Sequence, residues 1–116
     1  MNAKSVRILA LVLLGCSVSA LADTASPAKV TWIQVNANGA IRFSIASGTM
    51  CATGAGGGPN TDGDIQVNHL GVTLEAQRAM LSILVSAKLS GNTVKIFATN
   101  GVAGTWGCAV SAVQIN

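Results

Sequence analysis

The sequence predicts an α+β fold in which three strands precede a single helix and two strands follow it, in the order βββαββ. Three observations carry this reading. Leu74 to Leu89 is an amphipathic helix with its own start and stop signals. The segments on either side alternate apolar and polar residues with the period of a strand. Glycine-rich stretches at Gly48–Gly63 and Asn100–Gly107 separate these elements, and no regular element persists through such composition.

The helix is the clearest element. Thr73 can accept a bond from an unpaired early amide, and Glu75 sits where the helix dipole favours an anion. Between Leu74 and Leu89 there is no Gly or Pro, and good helix formers dominate. Ala76, Met80, Ile83, Leu84 and Ala87 recur at three- and four-residue steps and share one face. Lys88 suits the last turn, and Gly91 in Ser90-Gly91-Asn92 supplies the stop.

Before the helix, Asp23 to Ala28 reads as a mobile polar lead. Lys29 to Asn36 is rich in β-branched and aromatic residues and reads as a strand. Asn38-Gly39 is a strong hairpin signal. In Ala40 to Ser47, Ile41, Phe43 and Ile45 face one way and Arg42 and Ser44 the other. Asp64 to Asn68 reads as a short third strand with Ile65 and Val67 on one face. After the helix, Val94, Ile96 and Ala98 alternate with Lys95, Phe97 and Thr99. Cys108 to Ile115 is the final strand.

Met1 to Ala22 reads as a secretory signal. Lys4 and Arg7 precede an apolar run from Ile8, and Ala20-Leu21-Ala22 is a small-x-small cleavage site. The run is shorter than the ~20 apolar residues a spanning helix needs. A competing reading is the lipobox-like Leu13-Leu14-Gly15-Cys16, in which Cys16 becomes a lipidated first residue; the Ala-x-Ala site favours cleavage after Ala22. Residues 23–116 then form one small domain, secreted or periplasmic. Lys29, Arg42, Arg78, Lys88 and Lys95 nearly balance Asp23, Asp62, Asp64 and Glu75. That domain is near neutral, which argues against nucleic acid. Cys51 and Cys108 remain as a pair and read as a disulfide in an exported chain.

A helix between the third and fourth of five strands is the arrangement of the OB-fold, a small partly open barrel. Thr73–Asn116 resembles the C-terminal half of the B subunits of bacterial A-B toxins. The matching pieces are the helix Leu74 to Leu89, the strand Val94 to Asn100 and the small-residue strand Ala109 to Asn116. The chain also resembles small exported bacterial proteins with an early Cys, an alanine-rich helix and a late Gly-Cys. Toxin B subunits bind glycans as pentamers, so the resemblance implies a glycan ligand and a homo-oligomer.

Signals for other chemistry are weak. His69 is the sole histidine and has no evident catalytic partner, and no G-x-S-x-G elbow occurs. Asn60 to Asp64 resembles the start of a calcium loop. It lacks Gly at the sixth position (Ile65) and Glu at the twelfth (Gly71), and reads as a solvated turn. The Gly54–Gly58 run lacks the Lys-Ser/Thr and helix of a phosphate loop.

The two tryptophans are Trp32 and Trp106. Trp32 shares a strand face with Val30 and reads as a core or interface residue. Trp106 lies in a glycine-rich loop. It is the candidate ligand contact, stacking on a sugar or filling a partner pocket; the competing reading makes it a lid over one end of the barrel.

The expectation is therefore an exported, non-enzymatic binding module for a glycan or a protein, with no cofactor and no metal. The alternative is a structural or interaction protein of the bacterial envelope, lipid-anchored through Cys16. A hydrolase is poorly supported because no acid–base pair is visible.

Overall fold

The computed structural model describes residues 23–24, 27–52, 57–102 and 104–116. The signal reading of Met1–Ala22, with its cleavage site and Cys16, lies outside the described residues.

The elements are β1 (Asp23–Thr24), β2 (Ala28–Val35), β3 (Ile41–Ile45), β4 (Asp62–Ile65), α1 (Leu74–Ser90), β5 (Thr93–Thr99) and β6 (Cys108–Ile115). Strands β2, β3, β4, β6 and β5 pair in that order, and β5 pairs back to β2, closing a five-stranded barrel. All these pairings are antiparallel except β4–β6. With α1 between β4 and β5, this is the OB-like order that the sequence predicts.

The helix has the predicted ends. The Thr73 side chain accepts from the Ala76 amide, and Gly91 closes it at φ 78° with its N–H on the Ala87 carbonyl. The buried face is Gln77, Met80, Leu84 and Ala87. Three of these are predicted contacts or lie among them; Gln77 is not. A polar residue is tolerated there because its Nε2 donates to the Gly39 and Ile65 carbonyls, at 2.9 Å each. Inside the barrel, Phe43, Ile65, Val94, Ile96 and Val110 are fully buried with Leu84.

Three expectations change. First, Asp23–Thr24 is a strand, pairing Asp23 with Ala98 and Thr24 with Phe97 on the edge of β5 that Ala28 and Lys29 also use. Second, the third strand is Asp62–Ile65 rather than Asp64–Asn68. Asn68 and Leu70 take positive φ (68° and 56°), which turns the chain after Ile65. Third, a bulge between Val30 and Trp32 reverses the face of β2. Val30 lies opposite Ile45, but Trp32 lies opposite Ser44, on the outside. Trp32 is accordingly 37 % exposed and is not a core residue.

Cys51 and Cys108 form the expected disulfide, with Cα atoms 5.9 Å apart. It ties the segment after β3 to the start of β6. Met50 beside it is fully buried and anchors that segment a second time.

Candidate ligand-binding face

Alternation along β3 sends Ile41, Phe43 and Ile45 into the barrel and Arg42 and Ser44 outward. Register then builds two rows across the outer face. One row is Trp32, Ser44 and Asp62; the other is Gln34, Arg42 and Asp64. Asp62 and Asp64 are thus strand residues on one face. They form neither a calcium loop nor the solvated turn expected of Asn60–Asp64.

Both carboxylates are covered by the loop between β5 and β6. Asp62 is 5 % exposed and Asp64 0 %. The Trp106 indole Nε1–H donates to Asp62 Oδ2 at 2.8 Å, and the Trp106 backbone N–H donates to Asp64 Oδ2 at 2.8 Å. Gln66 Nε2 donates to the same Asp64 oxygen and to the Gly104 carbonyl, at 3.0 Å each. Charge-assisted bonds of this length are among the stronger ones proteins make. Asp64 Oδ1 and Arg42 Nε are buried without a protein hydrogen bond, although Arg42 Nε lies 3.8 Å from Asp64 Oδ2.

Trp106 is half-buried. The Arg42 guanidinium stands over its ring, 5.4 Å from the centroid, a cation–π arrangement. Gly58 packs directly against the ring, since a Cβ there would lie 2.6 Å from Cε2. Gly107, at φ 74°, lets the backbone pass so near Asp62 that a Cβ would meet the Asp62 carbonyl oxygen. The ring is therefore held in place, its polar edge already engaged.

The face as a whole carries Trp32, Gln34, Ser44 and Arg42, bounded by Trp106. Trp32 on β2 and Asp62 on β4 are two strand spacings apart, about 9–10 Å. Gln34 is exposed, and the Arg42 side chain is 29 % exposed. No hydrogen bond reaches the Arg42 Nη atoms among the described residues.

The sequence singles out Trp106, whose ring the structure shows half-buried and packed between loop and sheet rather than open in its loop; it did not single out Asp62, Asp64, Gln66 or the outward turn of Trp32. One signal was present: Asp62, Asp64 and Gln66 alternate, as one face of a strand does. His69 lies apart from this face in the turn after β4, half-buried, its carbonyl accepting from Val72. Among the described residues no group of three or more His, Cys, Asp or Glu is placed to hold a metal ion, and no helix is long and apolar enough to cross a membrane. No family model, curated protein or solved structure matches the chain.

Proposed function

We propose that this protein is an exported, non-enzymatic binding module that takes a glycan on the outer face of β2 and β3, beside the Trp106 loop that covers β4. The observation that carries the reading is Trp32 on the outer face of β2 with the Trp106 loop bordering the same face, and Gln34 and Arg42 in the adjoining row. Aromatic rings offer a flat apolar surface to the C–H face of a sugar, while the guanidinium and amide answer its hydroxyls. OB barrels commonly bind oligosaccharides on this face and its flanking loops. The resemblance to toxin B subunits points the same way, on sequence pattern alone, and adds a homo-oligomer. The Cys51–Cys108 bond suits an oxidising compartment. Cleavage after Ala22 would deliver the protein there, free in the periplasm or secreted.

A second reading, an interaction protein of the envelope, draws on α1. Leu74, Leu81, Val85 and Leu89 follow i, i+7, i+11, i+15 spacing and form one stripe. Leu89 is 83 % exposed, and Leu74 and Val85 are exposed as well. Lipidation at Cys16 belongs to this reading.

Glycan-array binding by the oxidised mature protein tests the first reading, with Trp32→Ala as the deciding variant. The Trp32 side chain is 37 % exposed and makes no hydrogen bond among the described residues, so its removal is expected to cost less than loss of a core aromatic, and a thermal melt of the variant checks that it folds. Loss of binding is expected. Undiminished binding by Trp32→Ala would move the site off this face, and absence of any glycan binding would favour the envelope reading.

A further inference from the structure

A cleft of about 330 Å³ opens at the end of the barrel beside the β2–β3 turn, and its lining includes Asn38, Gln66, Val67, Leu74 and Gln77. This volume is at the small end of ligand-sized pockets. The lining has no charged side chain. It has three carboxamides, each with one half already committed.

Gln77 is 5 % exposed, and its Nε2 is spent on the Gly39 and Ile65 carbonyls. Its Oε1 has no protein partner among the described residues. Gln66 Nε2 is spent on Asp64 and Gly104, which leaves Gln66 Oε1. Asn38 Oδ1 accepts from the Ala40 amide at 3.0 Å, which leaves Asn38 Nδ2 as a donor. The internal bonds lock each amide in one orientation, so the free halves are pre-set as two acceptors and one donor. Val67 and Leu74, both exposed at the rim, supply an apolar wall.

We infer that this cleft is a second binding site, for a small uncharged cyclic polyol or sugar ring. Such a ring carries hydroxyl donors for Gln66 and Gln77, an oxygen for Asn38 Nδ2, and a C–H face for Val67 and Leu74. An ion is disfavoured, because no charged side chain lines the cleft to offset its lost hydration. The site is separate from the tryptophan face and stands whether or not that face binds glycan. Gln66 joins the two, since the side chain that lines the cleft also holds Asp64 and Gly104 beneath and beside the Trp106 loop.

The test is a titration of the ¹⁵N-labelled oxidised protein with methyl glucoside and with myo-inositol, followed by NMR. Saturable shifts of the Asn38, Gln66 and Gln77 side-chain amides and the Gly39 backbone are expected. They should persist in Trp32→Ala and be reduced at least tenfold in affinity in Leu74→Arg, which blocks the rim at an exposed position. Shifts confined to the tryptophan indoles, or no saturable shift at the cleft amides, would overturn the inference. Tighter binding of glucuronate than of the neutral probes would overturn the assignment of an uncharged ligand.

Discussion

The indole N–H of Trp106 donates to the Asp62 carboxylate at 2.8 Å, across a separation of 44 residues in the chain. The same residue's backbone N–H is bound to Asp64. One loop residue thereby donates to one oxygen of each of two buried carboxylates and fastens the β5–β6 loop over the outer face of β4. Burying a carboxylate without such donors is costly, so the loop and the two aspartates stabilise one another.

Trp106→Phe retains a ring and removes only the indole donor. It is expected to cost about 1–3 kcal/mol, the usual penalty for leaving a buried polar group unsatisfied. Trp106→Ala also removes the packing on Gly58 and Arg42 and should cost about 3–5 kcal/mol. Urea unfolding of both variants measures this. A loss of stability near zero for Trp106→Ala would show that the ring fastens nothing and leave it a role as ligand contact alone.

Gly58→Val places a side chain where the Trp106 ring lies, with the indole Cε2, Nε1 and Cδ2 atoms in the way. The ring must be displaced, so tryptophan fluorescence should shift to the red as it meets solvent, and stability should fall by about 1–3 kcal/mol. An unchanged emission spectrum would contradict the packing described.

Gln77→Leu keeps the bulk of the helix face but strands the Gly39 and Ile65 carbonyls. A loss of about 1–3 kcal/mol is expected, although Leu is the better helix former and the more apolar residue. Thermal melts decide between the two effects; a rise in stability would mean that the two amide bonds contribute little.

The Cys51–Cys108 bond links residues 57 apart in sequence. On chain-entropy grounds it contributes about 4 kcal/mol. Cys51→Ala/Cys108→Ala should show that loss in denaturant unfolding. In the oxidised native protein neither residue should react with a thiol reagent, and labelling of both would refute the bond.

Much of this protein was determined by sequence alone, where the signal is local. The helix, its Thr73 and Gly91 ends, strands β3, β5 and β6, and the order of elements along the chain follow from periodicity and caps. These depend on residues within a few positions of each other, and the buried stripe of α1 needs only the 3.6-residue repeat. The disulfide was legible for a different reason, since with Cys16 of the three cysteines read as part of the signal, two leave one pairing. Only the tertiary structure decided the rest. The bulge at Val30–Trp32 turns Trp32 outward, and alternation cannot foresee one extra residue. Asp62 and Asp64 read as solvated because charge usually is; they are buried because Trp106 and Gln66 arrive from elsewhere to bind them. Gln77 faces the core because two carbonyls from distant segments meet its amide. In each case the deciding partner lies far away in sequence, and only closure of the barrel brings it within hydrogen-bond reach.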